Sequence, residues 1–445
     1  MFSTTAKPVE PGTEPHRPKF RYRAWGMTLL LGSLYMITYT DKILLGLVAQ
    51  PLKEEFGLTA SQVGTAGSVF FIAYVIGGLG SGVVNKWLVL RWSLVVLSIV
   101  WALCMLPMVI AGGYTVLILS RLILGLAEGP SASLVYTAIY SWHPPEKRSA
   151  PGAFVPGSSN VAKILVAPLL ALVIAHWGWR AAFVVMVVVG VAWCGLWLLT
   201  WTEGPYGERA TADRSATDSA PFEDSQLTAK APWLSIFRTP TFLGAAAGVF
   251  VLNAMLTTIL TWLPSYFEVG LGYTRVQAGT LFGFPAIVSL VVLIIATPVS
   301  DRLMSRGTSS RLLRGVAPGI AMVVCGCALV SLPYIGAPAL VVALVSFGYG
   351  LAVIGFPQFT AAVSQICPKS QMAGALGAFF AVMGLGGAFG PYVTGRIVDA
   401  AASPAVGYAQ AFQVFGVVAL VGAVIVLLTI SPQRDADRIA ATADR

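Results

Sequence analysis

Apolar runs of about twenty residues follow one another along the chain, separated by short breaks that carry Gly, Pro or charge. Twelve can be placed, centred on Leu34, Ala73, Ile99, Leu126, Ile164, Val189, Phe250, Leu290, Val323, Phe347, Gly384 and Val421. A helix needs about 20 mostly apolar residues to cross a bilayer. Strands of a membrane barrel would instead show about ten alternating residues each, and these runs are too long and too uniformly apolar for that. The pattern predicts an all-α membrane protein with 12 transmembrane helices. The 46 Gly and 27 Pro suit helices that pack closely and bend.

The runs fall into two sets of six. Residues 1-23 read as a cytoplasmic N-terminal tail, 24-202 as the first six-helix half and 203-238 as a cytoplasmic linker. Residues 239-431 read as the second half and 432-445 as a cytoplasmic C-terminal tail. The linker is the one long hydrophilic segment between runs, with four basic and six acidic residues. The halves repeat: Gly57-Leu58-Thr59-Ala60-Ser61-Gln62-Val63-Gly64-Thr65 opens the second run, and Gly272-Tyr273-Thr274-Arg275-Val276-Gln277-Ala278-Gly279-Thr280 opens the eighth. Gly, Thr, Gln, Gly and Thr recur at the same spacing 215 residues later. Parallel repeats of this kind hold substrate near the bilayer midplane between the halves.

Composition agrees. Hydrophobic residues make up 56% of the 445, charged residues 11%, and mean hydropathy is +0.78, where a soluble domain carries roughly 25% charge. With the N-terminus inside, 21 of the 28 Lys/Arg lie on the inner side and four outside: Lys53, Arg180, Arg275 and Arg396. That satisfies the positive-inside rule with both termini cytoplasmic. The net charge of +9 is thus a topology signal, and nucleic acid is not needed to explain it. The lipid bilayer is the expected surround. The five cysteines, at 104, 194, 325, 327 and 367, show no metal-type spacing and read as small core residues.

Five charges stand inside runs of the first half: Asp41, Lys42, Arg121, Glu128 and Lys163. Each costs at least about 2.5–3.5 kcal/mol at the bilayer centre, so such residues face a watery cavity and pair with one another or with substrate. Arg121 and Glu128, seven apart, share a helix face about 10 Å apart along the axis. Lys42, Arg121 and Lys163 are candidates to hold an anion, with Tyr39, Tyr74, Ser159, Asn160 and Gln358 as further substrate-binding candidates. Asp41 and Glu128 are candidates to carry protons, because no His lies within a run: His16, His143 and His176 fall between them. With both acids ionised the five total +1; with both protonated, +3, so proton loading and anion binding favour each other. The competing structural reading is that Asp41–Lys42 and Arg121–Glu128 neutralise one another and fix packing. The second half offers Asn253, Thr257, Trp262, Tyr266, Phe284, Tyr349 and Phe380 as an apolar to aromatic opposing wall.

Several stretches carry a family resemblance. They are Tyr39-Thr40-Asp41-Lys42, Arg121-Leu122-Ile123-Leu124-Gly125-Leu126-Ala127-Glu128-Gly129-Pro130 and Ser141-Trp142-His143-Pro144-Pro145-Glu146-Lys147-Arg148. Gly178-Trp179-Arg180-Ala181-Ala182-Phe183 and Thr261-Trp262-Leu263-Pro264-Ser265-Tyr266-Phe267 add to them. Over nearly its whole length the chain resembles the major facilitator superfamily, and within it the anion:cation symporters of sugar acids, aromatic acids and other organic anions. It departs from them in having Lys42 where Arg is usual and Asn85 where the first inner loop usually has Asp. The resemblance implies a proton-coupled symporter, monomeric, in the cytoplasmic (inner) membrane of a bacterium. It would import an organic carboxylate anion by alternating access, driven by the proton gradient without cofactor or metal. It also implies that Asp301 and Arg302, with Arg306, gate the inner side.

Rival readings fit less well. A drug:proton antiporter would carry a Gly/Pro signature in Val155 to Leu170, and an organophosphate exchanger a buried Arg in Thr241 to Pro264; neither is present. An organic-anion exporter or antiporter is the alternative within the same fold. A receptor would need a soluble domain to pass a signal, and an enzyme would need a nucleophile with its base or a metal-ligand set.

Overall fold

A computed structural model describes residues 18–80, 90–144, 148–202, 204–206, 232–368 and 371–443. Most of the expected N-terminal tail and linker, and the inner loop around Asn85 and Lys86, lie outside the described residues. The described chain is helical throughout. Helix α1 covers Pro18–Phe56, α2 Ala60–Leu79, α3 Leu90–Ala111, α4 Tyr114–Tyr140, α5 Pro151–Trp177 and α6 Trp179–Thr200. Helix α7 covers Pro240–Gly270, α8 Arg275–Ser305, α9 Leu312–Tyr334, α10 Pro338–Ile366, α11 Met372–Ala400, α12 Pro404–Thr429 and α13 Pro432–Ala443. Among the described residues, α2 to α12 are eleven helices long and apolar enough to cross a membrane. The first expected span falls on α1, whose hydropathy is lowered by Asp41, Lys42 and their Tyr and Thr neighbours.

The repeated nine residues adopt the same local structure twice. Gly57 (φ 62°) and Gly272 (φ 75°) take a left-handed conformation that favours glycine. Thr59 and Thr274 then cap α2 and α8, and Gln62 and Gln277 close both capping boxes from N3. The repeat is thus a helix-start device. Asp435 of α13 accepts the Thr241 N–H at the start of α7 at 2.9 Å, which docks the last helix beneath it.

Several helices are broken where the sequence demands it. Helix α4 turns at Gly129-Pro130, because Pro130 has no N–H to continue the ladder. Helix α10 turns at the equivalent place, Val353-Ile354, and α5 opens into a π-turn at Ala162–Val166. Such π-turns are frequent at functional sites.

The first six helices meet the last six along α1–α7, α2–α11 and α5–α8. Backbones touch there through glycine. A Cβ on Gly46 would strike the Leu260 carbonyl, and one on Gly64 the Pro391 carbonyl. Among the described residues, cross-half hydrogen bonds lie at the end carrying the α1–α2 turn, the end expected to face outward, and farther along α2 at Ser68, which bonds the Ala388 carbonyl and the Tyr392 N–H. Gln50 Nε2 donates to the Tyr408 hydroxyl at 2.9 Å. The Asp399 carboxylate, near the end of α11, accepts the N–H groups of Ala60 (2.8 Å) and Ser61 (2.7 Å), and the Ser61 hydroxyl, at the start of α2. An anion capping a helix N-terminus is stabilising, so this latch ties the start of α2 to the end of α11. On the same side Trp179 Nε1 and Arg180 Nη1 reach Glu55 Oε2 at 2.7 and 2.9 Å, a role for the Gly-Trp-Arg stretch. Those bonds hold the Glu55 carboxyl below its usual range, Arg180 foremost.

Asp399→Asn is expected to loosen the latch. Each lost charge-assisted bond is worth about 1.5–3 kcal/mol gross, less what water returns. A cysteine at Val63, buried behind this end, in a background without the five native cysteines, should then react about tenfold faster with a membrane-impermeant maleimide added outside. Unchanged labelling would remove the latch role.

Candidate functional site

Four of the five intramembrane charges converge. Helix α1 supplies Asp41 and Lys42 on adjacent positions, and α4 supplies Arg121 and Glu128 two turns apart. The break at Gly129-Pro130 ends the upper segment of α4 at Glu128. Gly129 is packed against the backbones of Tyr74 and Gly78, too close for any side chain. That draws α2 in beside Glu128.

The pairing crosses helices. Lys42 Nζ lies 3.0 Å from Glu128 Oε2, and both side chains are nearly sealed from solvent. Arg121 Nη1 donates to the Asp41 carbonyl at 3.3 Å. Asp41 is fully buried, and neither of its carboxylate oxygens receives a hydrogen bond; Glu128, Arg121, the Trp101 indole of α3 and Lys42 are the polar groups beside it. Glu128 Oε1 and Arg121 Nη2 are likewise buried without a hydrogen bond. Buried polar groups are nearly always satisfied in a structural network. Here several are left open, which is poor design for a mere packing clamp and suits groups that exchange partners.

Lys42 has a second face. Its ammonium sits over the Tyr74 ring at 4.8 Å, the Tyr39 ring at 5.5 Å and the Phe70 ring at 5.7 Å, cation–π distances. Lys163, in the π-turn of α5, reaches the same Tyr39 ring at 4.8 Å and donates to Asn160 Oδ1 at 3.4 Å. Tyr39 thus has ammonium groups from two different helices within reach of its ring. Tyr35, one turn before Tyr39 with rings 6.4 Å apart, extends this aromatic wall. Tyr349 of α10 lies near Tyr39 from the other half.

Other expected residues fall elsewhere. Ser159 is buried and donates back to the Pro156 carbonyl at 2.7 Å. Gln358 Nε2 donates to Ser300 Oγ at 3.1 Å within the second half. Trp262 donates to the Pro391 carbonyl at 3.0 Å, Asn253 to the Met383 carbonyl at 2.7 Å and Thr257 to the Ala254 carbonyl at 3.1 Å, so these three are engaged in helix packing. Tyr266 is buried, while Phe284 and Phe380 are exposed. Asp301, Arg302 and Arg306 are exposed at the far end of α8, and none forms an ion pair with another described residue. Trp101 and Asp399 were not among the sequence candidates. Trp101 gives no signal inside an apolar run; an acid at the end of the eleventh run was a signal left unused.

A sequence model described as Major Facilitator Superfamily matches residues 31–391. The chain belongs to this family. Relatives include a probable sulfoacetate transporter of Cupriavidus necator, 28% identical over 67% of this chain and 69% of that one. Also similar are a probable galactarate/D-glucarate transporter of Bacillus subtilis (28%; 85% and 86%) and the hexuronate transporter of the same organism (24%; 89% and 92%). These superfamily relatives are transporters of sugar acids and other anions, which matches the resemblance read from the sequence. The fold is that of a bacterial homologue of the human lysosomal transporter Spinster (TM-score 0.77, 15% identity, 96% and 99% covered). It is also that of the xylose transporter of E. coli (TM-score 0.73, 14%, 94% and 99%). The chain is a multi-pass membrane transporter of the superfamily, not an enzyme.

Proposed function

We propose that the chain is a twelve-span symporter, α1 to α12, of the bacterial cytoplasmic membrane with both termini inside. It imports a small organic carboxylate together with protons by rocking two six-helix halves about a central site. The observation that carries this is the Lys42–Glu128 pair at 3.0 Å, set beside the aromatic wall of Tyr39 and Tyr74. While Glu128 is ionised it occupies Lys42. A proton on Glu128 releases the ammonium for an incoming carboxylate, and a carboxylate on Lys42 releases Glu128 to be protonated. Each ligand therefore favours the other, and by linkage the effect is reciprocal. Asp41 and Arg121 form a second acid–cation set behind the first, which Trp101 and α3 shut off from lipid.

In this reading the Asp399 latch joins the two halves at the outer end and is broken when that end opens. Asp301, Arg302 and Arg306, exposed near the end of α8, would close the inner end when the outer end opens.

Uptake by proteoliposomes of sugar acids, aromatic acids and dicarboxylates, with and without an inward proton gradient, tests the reading. At least one anion should accumulate against its gradient only when protons are driven inward. Accumulation driven by an outward proton gradient would make the chain an antiporter, and no anion flux at all would end the reading.

A further inference from the structure

The cation count exceeds what a monoanion symporter needs. Asp41 and Glu128 offset Lys42 and Arg121, so four charges already balance. Lys163 is the surplus, on another helix and inside a π-turn that aims it at Tyr39. Among the described residues it donates one hydrogen bond, to Asn160 Oδ1 at 3.4 Å, and an ammonium has three donors.

We propose that the site takes a dianion, with one acidic group held by Lys42 and the other by Lys163 across the Tyr39 ring. This rests on the symport reading above. The two ammonium nitrogens lie 5.5 and 4.8 Å from the centre of one ring. Those lengths bound their separation at about 10 Å. With charge-assisted bonds of about 2.8 Å at each end, under about 5 Å is left between the two acidic oxygens, the span of a dianion of roughly two to four carbons. The charge tally selects the same class. One proton on the two acids leaves the five groups at +2, which a dianion neutralises. A monoanion would leave an uncompensated positive charge in the membrane, which is costly. The carbon body would lie on the Tyr39 and Tyr74 rings, which offer faces more than hydrogen bonds.

The test is counterflow in proteoliposomes at neutral pH with chain-matched pairs, succinate against butyrate and malonate against propionate. The wild type should prefer each dianion at least tenfold. Lys163→Met should lower the ratio of dianion to matched-monoanion flux by about tenfold or more, since the site then carries one positive charge fewer. Lys163→Arg should keep the dianion preference, which separates charge from folding. An unchanged dianion-to-monoanion ratio in Lys163→Met, or a wild type that favours the monoanions, would overturn the inference while leaving anion symport intact. Absence of any anion flux in the wild type would instead overturn the symport reading, and this inference with it.

Discussion

Arg121→Ala is expected to abolish uptake, lowering it at least a hundredfold at protein levels matched to wild type. Arg121 is the cation nearest the fully buried Asp41, and it anchors α4 to α1 through the Asp41 carbonyl at 3.3 Å. Removing one partner of a buried charge set leaves the other uncompensated and costs about 3–5 kcal/mol. Asp41 would respond by keeping a proton, so it could no longer cycle. The α1–α4 contact that positions Lys42 over Glu128 would also slacken. Arg121→Lys keeps the charge but lacks the planar fork that serves carbonyl and carboxylate together. It should retain folding and recover only a small part of the rate. Initial rates of radiolabelled anion uptake, with monodispersity on size-exclusion chromatography as the folding control, check both variants. Near-wild-type uptake by the alanine variant would remove Arg121 from the site.

Glu128→Gln is the second large effect, and it divides in two. Glutamine is nearly isosteric and can still touch Lys42, but it holds no exchangeable charge. Lys42 is then permanently available to an anion. Exchange of internal for external substrate should persist within about threefold of wild type, because it needs only the anion to bind and the halves to rock. Accumulation driven by an inward proton gradient should vanish, because no proton is then needed to release Lys42. Counterflow and gradient-driven uptake in the same vesicles measure the two quantities side by side. Full accumulation by Glu128→Gln would take that residue out of coupling and leave Asp41 as the remaining buried acid of the pair.

The helices were legible because a bilayer imposes a length and an apolarity that any spanning helix must meet. The repeated Gly-x-Thr stretch was legible as a repeat, and its meaning came with the structure: two left-handed glycines and two capping boxes that start α2 and α8 alike. Convergence of Asp41, Lys42, Arg121 and Glu128 was legible from the cost of charge in lipid. The pairing was not. The competing structural reading paired Asp41 with Lys42 and Arg121 with Glu128, whereas Lys42 joins Glu128 and Arg121 lies against Asp41. Adjacent residues on a helix point about 100° apart, and residues seven apart are about 10 Å distant, so both within-helix pairings were geometrically poor. Lys163 was legible as a charge deep in a run, but its partner was not. The π-turn that swings it onto Tyr39 depends on tertiary packing against α8, where Gly283 lies against the Lys163 backbone. The Asp399 latch went unseen because it joins residues 338 apart.

Coupling through a shared lysine makes one demand that no variant is needed to test. In sealed liposomes carrying the wild-type protein and a trapped pH indicator, with no ion gradient imposed, an added transported anion should acidify the lumen as protons enter with it. Glu128→Gln vesicles should give anion entry without that signal. Anion entry into wild-type vesicles with a flat pH trace, or entry that requires sodium outside, would contradict proton coupling at Lys42 and Glu128.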